Sequence, residues 1–148
     1  MKTIFDKSTR DEIITRINSL NEKSSAQWGK MNVYQALKHC ILFEEMMLGK
    51  KVYDRVFVGR IFGKMALKKL LKDEKPFKKN EPTSPGFLIK EKEGNIHAEK
   101  SKWISLVEEY AHFSGNDFEH WFFGKMTKEQ MGQFAYKHTD HHLRQFNG

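Results

Sequence analysis

The segment Lys137-His138-Thr139-Asp140-His141-His142-Leu143-Arg144-Gln145 gathers most of the side chains able to do chemistry. On an α-helix of about 3.6 residues per turn, His138 and His142 stand one turn apart on one face. Two neutral imidazoles so spaced can aim nitrogens at one cation, as in the HExxH zinc helix. The glutamate of that motif is absent here, which removes a zinc-protease reading. Phe134 and Met131 precede His138 by four and seven residues, so the pair continues an apolar, inward stripe. A buried imidazole must find a partner, because an unsatisfied polar group costs about 1–3 kcal/mol. That partner is either a metal ion or a neighbouring side chain, and spacing alone leaves both open.

The neighbours of this pair have smaller expected roles. His141 points about 100° away from His142, which puts it at the edge of any site. Gln145, about one turn past His142, is placed to bond a ligating imidazole. Asp140 would orient an imidazole only if the helix set it beside His141 or a neighbouring helix. His39 lies between Gln35 and Phe43, on or near a buried stripe, and on its own reads as a core histidine. Cys40 follows it on a different side of the helix and reads as a small buried hydrophobe. His97, His112 and His120 fall near helix ends or in loops, where histidines usually face solvent or cap.

The elements that must position these residues are mostly helical. Thr9-Arg10-Asp11-Glu12 has the form of a capping box and predicts a helix over 9–21. Asn32 with Gln35 predicts one over 32–48, ended by Gly49. Trp103, Leu106, Val107, Tyr110 and Phe113 give the stripe of a helix over 96–113. Thr127 with Gln130 opens a last helix over 127–146. An extra helix is expected over 54–72, with Phe57, Val58, Ile61, Phe62 and Met65 on one face. Lys68, Lys69 and Lys72 later occupy that face, so the helix should leave the core near its end. Gly59 and Gly63 weaken it. Residues 73–95 carry all three prolines and should be a long loop with a short extended piece at 87–89, either a lid or a crossover. The expectation is an all-α four-helix bundle in a single domain, residues 1–148. The extra helix and the loop lie between its second and third helices.

Composition narrows the function classes. With 39% apolar and 30% charged residues, the 148-residue chain suits a folded domain rather than a disordered one. One cysteine excludes an internal disulfide. The start, MKTIFDKSTRDE, lacks a secretory apolar stretch, and no apolar run approaches the ~20 residues of a membrane span. A cytoplasmic location is the default. The net charge of +7 is concentrated: residues 50–79 hold eleven Lys or Arg against Asp54, Asp73 and Glu74. That segment is either a solvated face or a site for an anionic ligand, nucleic acid or membrane surface. No nucleic-acid motif accompanies it.

Three pieces carry a family resemblance. Trp28-Gly29-Lys30-Met31-Asn32 with Gln35, Leu37 and His39 is one, and His138-x-x-x-His142-x-x-Gln145 is another. The third is His120-Trp121-Phe122-Phe123-Gly124-Lys125-Met126 together with Tyr136-Lys137-His138 and His141 to Phe146. From about Thr9 onward the chain resembles the DinB/YfiT-like family of metal-dependent enzymes, in an uncharacterised branch. The resemblance implies an up-down-down-up bundle and a site of His39, His138 and His142 for zinc, nickel or a similar divalent ion. It also implies a small-molecule substrate, with thiol-dependent S-transferases among the family's members, and a homodimer is compatible with it.

Three neutral imidazoles leave an ion its full charge and an open position, the form of catalytic rather than structural zinc sites. Such a position activates either a water or a thiol. The expected function is therefore a metal-dependent transferase or hydrolase of a small molecule, the transferase using a low-molecular-weight thiol. The alternative is a non-enzymatic helical module that uses the basic face for a partner.

Overall fold

The computed structural model describes residues 1–115 and 118–148. Among the described residues five α-helices dominate: α1 (Lys7–Ser19), α2 (Val33–Met47), α3 (Phe57–Leu70), α4 (Ile96–Glu109) and α5 (Lys128–Gln145). A two-residue antiparallel hairpin, β1 (Glu119–His120) with β2 (Gly124–Lys125), joins α4 to α5. Helix α2 packs on α4 and α5, and α1 packs on the same two helices. Their inward side chains form one apolar core that includes Ile13, Ile17, Leu37, Met47, Trp103, Val107, Met131 and Leu143. No helix among the described residues is long and apolar enough to cross a membrane.

Local chemistry sets the ends of these helices. Asn32 accepts from the Gln35 amide while the Gln35 side chain accepts from the Asn32 amide. Thr127 and Gln130 make the same reciprocal pair at the start of α5. Each pair satisfies two amides that a helix start leaves without partners. Asn95 caps α4 through the Ala98 amide. Gly49 follows α2 with φ +73°.

Helix α1 starts two residues earlier than its sequence signal. Asp6 is the N-terminal cap residue, and Thr9 and Arg10 are already buried within the helix. Arg10 donates to the carbonyls of Ile4 and Phe5, so the preceding loop folds back onto the first turn. Residues 85–87 form a 3₁₀ turn that takes in Phe87 of the extended piece expected at 87–89, while Leu88 is extended.

Helix α3 reverses the expected burial. Phe57, Val58, Ile61, Phe62 and Met65 face solvent, while Gly59, Gly63 and Leu67 are buried. The glycines lie against the backbone of Phe122 and Phe123, so close that a Cβ would collide with it. Helix α3 therefore meets the chain through its smallest residues. It approaches the core at its C-terminal end, through Leu67 and Leu70, instead of leaving it there.

Candidate metal centre

His39 comes from the middle of α2, and His138 and His142 come from consecutive turns of α5. One ligand nitrogen from each lies within 4.8 Å of the others. His39 Nε2 stands 3.2 Å from His138 Nε2. Two nitrogens each ~2.0–2.1 Å from one tetrahedral ion would be about 3.3 Å apart, so this pair fits a shared cation.

The outer nitrogens of His39 and His142 fix which side of each of those two rings faces inward. His39 Nδ1 lies 3.1 Å from the Phe87 carbonyl oxygen. A carbonyl only accepts, so Nδ1 carries the proton and Nε2 offers a lone pair. His142 Nδ1 lies 2.9 Å from Gln145 Oε1, and Gln145 Nε2 donates to the Trp28 carbonyl at 2.8 Å. The amide orientation that satisfies both bonds makes His142 Nδ1 a donor and frees its Nε2. Gly29 leaves room for this link: with φ +81°, any Cβ there would come 2.7 Å from Gln145 Nε2. His138 is held differently. Its ring stacks on Phe43 at 3.6 Å, and its Nδ1 has no hydrogen-bond partner among the described residues.

Neutral rings are favoured throughout. Burial depresses the His39 pKa below the ordinary histidine value. Burial, then the neighbouring histidines, press His138 and His142 well below it. With Nε2 of His39 and His142 bare, His138 either donates from its own Nε2 across the 3.2 Å contact or, with its proton on Nδ1, turns a third lone pair inward that demands a positive partner. A divalent cation meets that demand, and three imidazole nitrogens suit zinc, nickel, copper or iron.

The triad forms one wall of a cleft of about 930 Å³. Residues of the 73–87 loop line the same cleft, so the long loop borders it. Lys137 anchors its start by donating to the carbonyls of Leu70 and Asp73. Lys69, Lys72, Lys75, Lys78 and Lys137 line the cleft against Asp73 and Glu81. The basic segment thus reaches the cleft, which its sequence position does not reveal.

The other residues singled out by sequence divide between the cleft and the helix contacts. His141 lines the cleft, with its ring 5.5 Å from that of Trp28 and 5.9 Å from that of Phe77. Lys79 sits 4.5 Å over the Trp28 ring. Asp140 instead binds Arg16 at 2.8 Å and Arg144 at 2.7 Å, one with each oxygen. It ties α5 to α1 and makes no hydrogen bond to an imidazole among the described residues. Cys40 is buried and burial pushes its thiol well up, so it stays protonated, as expected of a packing residue.

Sequence reasoning missed His120. It is buried, lines the same cleft, and stacks on Phe123. Its Nδ1 accepts from the amides of Phe122 and Phe123 at 3.1 and 3.2 Å, which places the proton on Nε2. Burial, then the charge of Arg55, bring its pKa down to about 3. It is a fixed neutral donor beside the triad. The available signal was the aromatic run Trp121-Phe122-Phe123 before Gly124, a buried turn rather than a surface one.

No curated protein and no solved structure matches the chain. Residues 4–148 match a family described as "Protein of unknown function (DUF1569)", and the chain belongs to that family.

Proposed function

We propose that this protein is a divalent-metal-dependent enzyme acting on a small molecule, with His39, His138 and His142 as the metal ligands. The observation that carries the reading is the convergence of the three imidazoles, with the outer nitrogens of His39 and His142 tied to Phe87 and Gln145. We read the fold as a DinB/YfiT-like bundle of α1, α2, α4 and α5, and zinc or nickel as the natural ion. When bound, the ion would supply Lewis acidity at an open position for a thiol or a water.

The chain's own residues would do the rest. Phe87 and Gln145 orient two ligands, and Phe43 and Phe134 pack around His138 and limit access of water. His120 Nε2–H offers a hydrogen bond to a reacting oxygen or sulfur in the cleft. The lysine-rich wall favours an anionic substrate, a small anionic thiol among them.

The test is elemental analysis and metal titration of the purified protein, repeated with His142→Ala. The proposal expects one ion per chain, lost in the variant. A metal-free wild type whose melting is insensitive to added metal would remove it. With metal present, turnover of electrophiles by low-molecular-weight thiols separates the two reactions. A thiol-independent hydrolase would sink the transferase version.

A further inference from the structure

Helix α3 carries a surface that the proposed chemistry does not use. Phe57, Val58, Ile61, Phe62 and Met65 are 49–74% exposed on two and a half successive turns. Leaving such residues in water is unfavourable, and a contiguous apolar patch of this kind marks a contact surface. Along the same side follow Lys68, Lys69 and Lys72, of which Lys69 and Lys72 also border the cleft, with Arg60 beside the patch. These four cations make no ion pair among the described residues, and residues 55–72 contain no Asp or Glu.

We propose that α3 is an interfacial helix that docks the protein on an anionic lipid bilayer, its aromatic and aliphatic face in the acyl boundary and its lysines on the headgroups. Two observations choose this occupant. Exposed phenylalanine and aliphatic side chains together with lysines are the composition of helices that lie in a membrane interface. Here the cations continue the apolar side toward the end of the helix, because the opposite side packs on the hairpin. The cations also rule against a second copy, since each copy would bring the same unpaired charges. The area agrees: a whole aromatic side chain offers ~150–250 Å², so these five leave on the order of 500 Å² in solvent. A stable protein interface buries about 800 Å² per partner. Nucleic acid would use the cations but leave the apolar side chains in water.

Helix α3 is held for this orientation. Its glycine side fits the hairpin backbone, Leu67 and Leu70 enter the core, and Lys64 donates to the Lys125 carbonyl. Rotation to bury Phe57 and Ile61 would bring bulky side chains against Phe122, where not even a Cβ fits.

Co-flotation of the full chain with vesicles tests the proposal. The probes are phosphatidylcholine alone and phosphatidylcholine with about one-third phosphatidylserine or phosphatidylglycerol. Partitioning should be at least tenfold stronger on the anionic vesicles. At about fivefold per cation near such a surface, Arg60→Glu with Lys68→Glu, neither of which lines the cleft, should lose at least tenfold. Phe57→Ser with Ile61→Ser should also release the protein, with melting unchanged because both positions are exposed. Equal partitioning on both vesicles, or none, overturns the proposal. So does sedimentation showing a dimer that Phe57→Ser with Ile61→Ser abolishes, which would make a second copy the occupant.

Discussion

Substituting Glu44 by glutamine should change how stability depends on pH, by an amount the structure sets. Glu44 on α2 is fully buried, with Tyr110 donating to one carboxyl oxygen at 2.6 Å and Thr139 to the other at 2.9 Å. Burial outweighs these bonds and raises its pKa from 4.5 to about 7. A carboxyl whose folded pKa is raised binds its proton more tightly in the folded state. Its contribution is fully present below pH 4.5, declines as pH rises toward 7, and is lost above that. At 1.36 kcal/mol per pH unit, the shift corresponds to about 3 kcal/mol. Glutamine is nearly isosteric, does not titrate, and can accept from one hydroxyl while donating to the other. Urea unfolding of both proteins between pH 4.5 and 8, with chelator present, isolates the effect. The difference between the two curves removes the histidines, whose depressed pKa values act in the opposite direction. Glu44→Gln should gain about 3 kcal/mol on wild type between pH 4.5 and 8. Parallel curves across that range would refute the reasoning, because Glu44 would then titrate alike folded and unfolded.

Other expectations follow from the same geometry. Gln145→Ala removes the acceptor that orients His142 and should weaken metal binding about 10- to 100-fold by competition titration, whereas Gln145→Glu should restore most of it. Because His39, His138 and His142 all have depressed pKa values, metal binding should persist below pH 6.5, the ordinary histidine value, and fail only on further acidification. Binding that fails at or above pH 6.5 in titrations would contradict it. Gly63→Ala in a free helix should stabilise by up to about 1 kcal/mol. Here the Cβ meets the Phe122 carbonyl, so thermal or urea melts should instead show a loss of about 1–3 kcal/mol.

Much of the scaffold is legible because its signals are local. The boxes Asn32–Gln35 and Thr127–Gln130 need only a few residues to be recognised, and both occur as read. The relation of His138 to His142 follows from helix geometry alone. Their meeting with His39 does not, since it depends on how α2 crosses α5, and only the family resemblance joined them beforehand. Helix α3 misled because apolar periodicity assumes that the large residues face inward. Gly59 and Gly63 carry no hydropathy signal, yet they decide its packing. His120 escaped because two-residue strands have no periodicity to read. The lysine wall of the cleft depends on how the end of α3 and the 73–87 loop come together beside Lys137 of α5, which charge counting cannot supply.

The central claim is that three imidazoles converge to hold one ion. Titration of the metal-free protein with zinc and with nickel, followed by calorimetry, tests it directly. One site per chain is expected, with protection against thermal unfolding that grows with free metal. His39→Ala, His138→Ala and His142→Ala should each abolish that binding, whereas His141→Ala should leave the stoichiometry at one. Binding that survives loss of any of the three, or that vanishes with His141 alone, would contradict it.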